Sequence, residues 1–286
     1  YRDSAEQILA CRYGAALALA DKGNYAEAIA EFETLGDYQD SAEQILSCRY
    51  SAALALADKG NYAEAIAEFE TLDDYQDSEQ KISELKTELL RTAEVGDTVY
   101  FGNYEQDDDD SDGKEEIAWR VLAKEGNRIL VISNNVLDCK PYTSDYITLF
   151  SNISWETCSL RTWLNDTFLN EAFNTEEQAI ISSATVTGNG YYQNGDFYPS
   201  NDTTDRVFLL SIDEANQYFA NDKERSCEKE WSLRTRYSNG FYNGDRNDFY
   251  GYLVNSHGVI CNSYGLSDTS VFYNIRPAMW IDISGL

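Results

Sequence analysis

The first third of the chain has hydrophobic positions at the spacing of amphipathic helices. Residues 1–37 and 38–74 match almost residue for residue, so the chain opens with a 37-residue repeat. In each unit the pattern predicts two helices separated by a glycine, because glycine adopts the left-handed conformation that ends a helix. In the first unit we expect Asp3 or Ser4 to cap one helix, Gly23 to end it, and a second helix to cover residues 25–35. The apolar stripe of the first helix is formed by Ile8, Leu9, Ala15, Leu17 and Leu19.

The turn between the two predicted helices resembles that of a tetratricopeptide repeat (TPR). Residues 23–29 read Gly-Asn-Tyr-Ala-Glu-Ala-Ile, and residues 60–66 repeat them. The usual period of that family is about 34 residues, so this chain is a variant. A third unit begins at Tyr75 and becomes one charged helix to about Arg91, which we interpret as a capping helix. We therefore expect TPR-like repeats over residues 1–92, serving either as a peptide-binding groove or as a spacer.

The pattern changes at residues 95–97, where Ala and Glu give way to Tyr, Asn, Gly, Thr and Val. Few helices, short strands and long irregular loops over residues 95–286 predict an α+β domain. Alternating or apolar segments predict strands at 98–104, 117–123, 128–133, 207–210 and 276–283, and amphipathic segments predict helices at 159–173 and 212–219.

Seven motifs in this second region occur in a fixed order. They read GDTVYFG at 96–102, WRVL at 119–122, LDC at 137–139, WETCSLRTWLN at 155–165, VFLLS at 207–211, WSLRT at 231–235 and IRPAMWI at 275–281. The series is similar to an uncharacterised bacterial domain family with closing motifs of the form WWLRSPG and GVRPALW. This chain departs from that family at WSLRT and in a shorter segment between Cys227 and Trp231.

That family resembles a branch of the C-type-lectin-like fold. The same fold serves formylglycine-generating-enzyme-like proteins and the variable proteins of diversity-generating retroelements. The resemblance implies a fold class of α+β, with N-terminal α-helical TPR-like repeats followed by a C-type-lectin-like ligand-binding domain with long irregular loops over residues 95–286.

Residues 232–278 contain no Lys, Glu, Gln, Met or Trp and are rich in Tyr, Asn, Ser and Gly. Antibody-like binding surfaces use this palette. The resemblance to variable proteins implies that this composition arises from the rewriting of adenines in Asn codons. The alternative is that the loops of this family are always rich in Asn, Tyr and Gly. We expect the fold to be pinned by Leu233, Val254, Ile260, Arg276, Pro277 and Trp280. The candidates for ligand contact are Tyr237, Asn239, Phe241, Tyr242, Asn243, Arg246, Asn247, Asp248, Tyr250, Tyr252, His257, Asn262, Tyr264 and Tyr273.

No cofactor is predicted. The aspartate run at residues 108–112 opens like an EF-hand loop, but its twelfth position is Trp119 where calcium requires a bidentate Glu. We expect a solvated loop, and binding of calcium has no support.

Catalysis has little support, because His257 is the single histidine and lies within the candidate binding segment. None of the six cysteines forms a CxxC pair, so buried free thiols are expected, with Cys11 and Cys48 at the same place in two repeats. Cys227 and Cys261 are similar to the cysteine pair of formylglycine-generating enzymes without matching a motif. We expect a non-enzymatic binding protein; the alternatives are such an enzyme and a purely structural interaction module.

The formal net charge of −28 disfavours nucleic acid and anionic membrane surfaces as partners. No apolar run approaches the ~20 residues of a membrane span. We expect a protein or glycan ligand at the C-terminal face, a second protein partner where the repeats form a groove, no nucleic acid and no membrane insertion by this fragment. The chain starts at Tyr1 inside a repeat, so we expect a fragment that lacks its N-terminus; a binding role favours the cell surface or secretion.

Overall fold

A computed structural model gives the fold. It describes residues 2–107, 109, 111, 113–143, 154–188, 191–193, 196–238, 249–262 and 272–286. The chain divides into two compact units between Thr92 and Ala93. The first unit is helical and the second combines sheets with short helices, which confirms the predicted α+β class with N-terminal helices and C-terminal sheets. In the described part of the chain, no helix combines the length and the apolar character that a bilayer crossing requires.

The helical unit follows the predicted repeat. Its helices are α1 (Arg2–Ala20), α2 (Tyr25–Leu35), α3 (Ser41–Ala57), α4 (Tyr62–Glu70) and α5 (Ser78–Thr92). Gly23 and Gly60 end the first helix of each unit at φ angles of 78° and 80°, as predicted. The cap expected at Asp3 or Ser4 is wrong, because α1 already includes both residues. In the second unit the equivalent Asp40 does stand at the N-cap position of α3.

Each second helix of the helical unit is covered by the first helix of the next unit. Phe32 and Leu35 of α2 form a buried cluster that includes Cys48 of α3. One period later, Phe69 of α4 forms the same cluster with Leu85 of α5. The contacts therefore recur along the chain, as expected for stacked repeats.

Within the helical unit, a tyrosine reinforces each junction between one repeat and the next. The Tyr13 hydroxyl donates to the carboxylate of Asp40, and the Tyr50 hydroxyl donates to that of Asp77. The Tyr13 ring lies edge-on to Phe32, with ring centres 5.6 Å apart. Each tyrosine therefore joins the core of its own unit to the start of the following first helix.

The α+β unit is built on one antiparallel sheet in the order β1-β2-β3-β15-β10, with β5 also paired to β15. Smaller sheets pair β11-β12-β13, β4-β14, β6-β9 and β7-β8. The strands are β1 (Thr98–Tyr104), β2 (Glu115–Glu125), β3 (Arg128–Ser133), β4 (Asp138–Pro141), β5 (Ile181–Ser182), β6 (Ala184–Val186), β7 (Tyr191–Gln193), β8 (Asp196–Tyr198), β9 (Thr203–Asp205), β10 (Val207–Phe208), β11 (Trp231–Ser238), β12 (Phe249–Val254), β13 (Ile260–Asn262), β14 (Phe272–Ile275) and β15 (Ala278–Asp282).

Short helices pack against this framework. They are α6 (Ser159–Trp163), a π-helical turn (Leu164–Phe168), α7 (Leu169–Ala172), α8 (Thr175–Ile180), α9 (Ile212–Tyr218) and α10 (Asp222–Arg225). Leu164 and Phe168 are fully buried, which confirms the apolar face predicted for residues 159–173. The predicted bounds of β1 and β3 are confirmed, whereas β15 begins only at Ala278. Pro277 has no N–H to donate to a sheet, so the strand cannot extend back through it.

Candidate functional site

Three strand ends of the α+β unit lie at one edge of the β11-β12-β13 sheet. In this sheet, Ser238 pairs with Phe249 and Asn262 pairs with Tyr252, so the end of β11, the start of β12 and the end of β13 lie together. We call this edge the loop end. In a separate small sheet, Phe272 at the start of β14 pairs with Pro141 at the end of β4.

β14 lies close to β11 although the two strands belong to different small sheets. Asn274 donates from Nδ2 to the backbone oxygen of Glu230 at 2.9 Å, just before β11 begins. The guanidinium of Arg276 lies over the ring of Trp231, 5.0 Å from its centre. These contacts hold the end of β14 near the start of β11.

Four of the candidate ligand-contact residues lie in described strands at the loop end. Tyr237 and Tyr250 are Cα partners, as are Tyr252 and Asn262. Because residues two apart in a strand share a face, positions 237, 250, 252 and 262 belong to one face of this sheet. That face is fully buried at Val254 and half-buried at Tyr252, so it passes from core toward solvent as it approaches the loop end.

Eight candidates lie outside the described residues: Asn239, Phe241, Tyr242, Asn243, Arg246, Asn247, Asp248 and Tyr264.

Tyr273 does not belong on an open binding surface. Its side chain is only 4% exposed, and its ring lies edge-on to Tyr142 with centres 6.1 Å apart. Pairing of β14 with β4 sets Tyr273 opposite Lys140 and turns the ring into the core. The expectation that it contacts ligand is therefore wrong, since packing already occupies the side chain.

His257 is exposed but lies at the other end of the sheet, in the turn between β12 and β13. Asn255 Oδ1 accepts from the backbone N–H groups of His257 and Val259, both at 3.0 Å. A Cβ added at Gly258 would lie 1.6 Å from the carbonyl oxygen of Asp222 in α10. The structure therefore separates His257 from the loop end and closes its turn against α10.

Arg234 pins β11 to the segment that precedes α9. It is 3% exposed and donates to the backbone oxygen of Leu209 at 2.8 Å and to Glu214 Oε1 at 2.8 Å. Glu214 also closes the capping box of α9 with Ser211. Two of the sequence motifs, VFLLS and WSLRT, are thus joined by the hydrogen bond from the buried Arg234 to Leu209.

Arg276 pins β14 to the main sheet in a similar way. It is 3% exposed, and its Nε donates to the backbone oxygen of Ser133 at 2.7 Å. Burial lowers the pKa of its guanidinium to about 10. Leu233, Val254, Pro277 and Trp280 are buried as well and Ile260 is half-buried, which fits the structural role expected of these residues.

A family model, described as a domain of unknown function (DUF6273), matches residues 126–283, more than half of the chain. The chain belongs to the DUF6273 family. A search of curated proteins and a search of solved structures gave no match. The DUF6273 match contains the loop end, Arg234 and Arg276. It begins directly after β2 ends, so two strands of the main sheet precede it.

Asp205, within the DUF6273 match, is a buried carboxylate that the sequence did not single out. It is 1% exposed and accepts from Trp155 Nε1 at 2.8 Å, Arg161 Nε at 2.6 Å and Thr203 Oγ1 at 2.6 Å. Its oxygens are thereby occupied by protein donors, so it holds the WETCSLRTWLN motif in place. No local signal in the sequence pointed to it, because Trp155 lies before α6 and only the fold brings it and Arg161 to Asp205.

A cluster of carboxylates lies before the DUF6273 match, beside the aspartate run. Oxygens of Glu105, Asp107 and Glu115 all lie within 4.8 Å of one another. Glu115 Oε2 accepts from the Gln106 N–H at 2.6 Å, while Oε1 is buried with no hydrogen-bond partner among the described groups. Burial, followed by the charge of Glu115, raises the pKa of Glu105. These three residues offer the oxygen ligands that Ca²⁺ and Mg²⁺ prefer.

All six cysteines are free thiols in the structure. Cys48 and Cys158 are buried as expected, but Cys11 and Cys139 are exposed, so the expectation of buried thiols is wrong for those two. Cys227 Sγ lies 3.5 Å from the backbone oxygen of Asn134, and Cys261 lies in β13.

Proposed function

We propose that residues 93–285 form a non-enzymatic binding domain that holds a protein or glycan ligand at the loop end. The observation that carries the proposal is the strand register. It brings Ser238, Phe249 and Asn262 to one edge of the β11-β12-β13 sheet, and these residues flank segment 239–248 and precede segment 263–271, both rich in the Tyr, Asn, Gly and Ser typical of binding loops.

A rigid support directly behind the loop end favours this role. Loops bind well when a fixed scaffold presents them, because less conformational entropy is lost on binding. Arg234 and Arg276 fix the strands that carry the segments, and both arginines are buried and hydrogen-bonded. The candidate residues can therefore vary without removing the contacts that hold the frame.

The resemblance to variable proteins extends the proposal to the origin of the segment. We expect residues 232–278 to be diversified by a retroelement, which would explain the absence of Lys, Glu, Gln, Met and Trp there. A reverse-transcriptase gene beside a near-copy of the codons for residues 232–280 is the expected genomic arrangement. Neighbouring DNA without either feature would contradict this part of the proposal.

The binding proposal is tested by replacing Tyr242, Tyr250 and Tyr264 together with Ala in the full chain. We expect binding on a glycan and protein array to be lost and the melting temperature to stay nearly unchanged, because the proposal has these three side chains add contact area to a ligand rather than to the core. Tyr273→Ala is the matched control. It should lower the stability by about 3 kcal/mol, since it removes a buried aromatic ring.

Two results would contradict the binding proposal. A large fall in melting temperature for the triple variant would make those tyrosines core residues. An array on which the unmodified chain binds nothing would favour a purely structural module.

A further inference from the structure

The repeated sequence allows the surroundings of one helix to be compared with those of its near-copy. α1 and α3 carry the same residues at five positions that form one stripe, spaced four, three, four and three residues apart. The stripe on α1, which we call the α1 stripe, is Ser4, Ile8, Cys11, Ala15 and Ala18. Its counterpart on α3 is Ser41, Ile45, Cys48, Ala52 and Ala55.

The two stripes differ sharply in exposure. Ile8 is 57% exposed and Cys11 is exposed, whereas Ile45 is partly buried and Cys48 is 3% exposed. Ser4 and Ser41 differ in the same direction. The residue types are the same, so the difference comes from the neighbour: α2 packs on the α3 stripe, and no described helix packs on the α1 stripe.

The helix that covers the α3 stripe defines what fits it. α2 presents Ala28, Phe32 and Leu35, and these three form a buried cluster with Cys48 and Ile45. The next junction follows the same rule, since Ala65 and Phe69 of α4, with Leu72 just after it, pack against Leu85 and Ile82 of α5. A second helix with this Ala-Phe-Leu spacing is thus complementary to a first helix twice in the described structure.

We propose that the α1 stripe is a docking surface for the second helix of a further repeat of this same sequence type. The occupant is a helix with the Ala28, Phe32 and Leu35 spacing. It covers Ile8 and Cys11 as α2 covers Ile45 and Cys48. This inference concerns the helical unit and does not depend on ligand binding at the loop end.

The test adds a copy of residues 1–37 ahead of Tyr1 in the full chain, with the cysteine of the added copy replaced by serine. Alkylation of each thiol by iodoacetamide is followed by peptide mass spectrometry. We expect alkylation of Cys11 to slow about tenfold or more, toward the rate of the buried Cys48, because a buried thiol reacts only when the structure opens locally. Alkylation of the exposed Cys139 should not change, and far-UV circular dichroism should gain the signal of two more helices.

A matched pair of substitutions checks that the stripe itself is responsible. Ile8→Glu should leave the melting temperature of the original chain unchanged but restore rapid alkylation of Cys11 in the extended chain. Ile45→Glu should lower the melting temperature of the original chain, because Ile45 is already packed. Unchanged alkylation of Cys11 in the extended chain, or an added copy that contributes no helix, overturns the proposal. Protection of Cys11 that rises with concentration in the original chain also overturns it, since a second copy would then be the occupant.

Discussion

The two units of this chain satisfy their buried groups in different ways. In the helical unit each contact has a copy one period later: Tyr13 with Asp40 is repeated by Tyr50 with Asp77, and Phe32 is repeated by Phe69. In the α+β unit the polar contacts are single and join distant segments. Asp205, for example, joins β9 to residues 155 and 161.

This difference implies different responses to damage. A repeat loses one local junction when one residue changes, and its neighbours remain as they were. A buried polar group that serves several segments leaves each of its partners unsatisfied when it is removed. All five tryptophans lie in the α+β unit, so tryptophan fluorescence follows that unit alone.

The largest effect is expected for Asp205→Ala. The change leaves the Trp155 indole N–H and the Arg161 Nε–H without their acceptor, and we expect the α+β unit to lose about 3 kcal/mol of unfolding free energy. Urea unfolding followed by tryptophan fluorescence measures it. Glu84→Ala, which removes a solvent-accessible ion pair with Lys81 in α5, is the control and should have no measurable effect; its unfolding is followed by circular dichroism at 222 nm, because the helical unit has no tryptophan. Equal effects of the two changes would remove the contrast between the units.

A smaller effect is expected at the glycine that ends α2. Gly36 has φ 55° and ψ −125°, a conformation that side chains with a Cβ avoid. Gly36→Ala should therefore lower the stability of the helical unit by about 1 kcal/mol. The equivalent position in the second unit is Asp73, also at positive φ, and Asp73→Gly should be neutral or stabilising by about 0.5 kcal/mol. Circular dichroism at 222 nm measures both, and a loss of stability for Asp73→Gly would contradict the argument.

The smallest effect is expected for Tyr13→Phe, and it should depend on pH. The hydrogen bond from Tyr13 lowers the pKa of Asp40, while the same bond raises the pKa of Tyr13 to about 12. Because the pKa of Asp40 is lower in the folded than in the unfolded chain, its ionised carboxylate stabilises the fold at pH values above its unfolded pKa of about 4. This stabilisation is lost as the pH falls through the lowered folded pKa. A phenol with a raised pKa loses its effect as pH rises from about 10 to about 12.

The variant should accordingly melt slightly below the wild-type helical unit near neutral pH, with the difference vanishing below about pH 4. Tyr50→Phe breaks the equivalent contact with Asp77 and should reproduce the loss at neutral pH. A difference that persists at pH 2 would show that the hydroxyl acts by packing and not through the carboxylate.

Local signals explain the parts of the fold that the sequence predicts well. The stop at Gly23 and the alternation in β1 each act within a few residues, and the predicted bounds of β1 and β3 agree with the structure. The turn glycines and the 37-residue period fixed the helices of the first unit in the same way.

Long-range contacts explain what the sequence could not predict. β4 and β14 pair across more than a hundred residues, and neither four-residue strand has a readable alternation. Tyr273 lies in a segment whose composition is typical of binding surfaces, yet the pairing of β14 with β4 buries its side chain. Asp205 is one of 50 acidic residues, and only the folded chain brings Trp155 and Arg161 to it. The placement of His257 followed from the order of strands and not from its neighbours in sequence.

Because of Gly258, the two ends of the β11-β12-β13 sheet differ in the changes they tolerate, which matters for protein engineering. A Cβ added at Gly258 would collide with the Asp222 carbonyl oxygen. Arg225 Nε also donates to the Gly258 carbonyl oxygen at 3.1 Å. This turn therefore accepts neither a side chain at position 258 nor an inserted peptide. A graft between Ser238 and Phe249 leaves that closed turn untouched. Foreign recognition sequences placed there would be carried on an anchored hairpin, and randomised libraries at that position would sample new surfaces without sampling new folds.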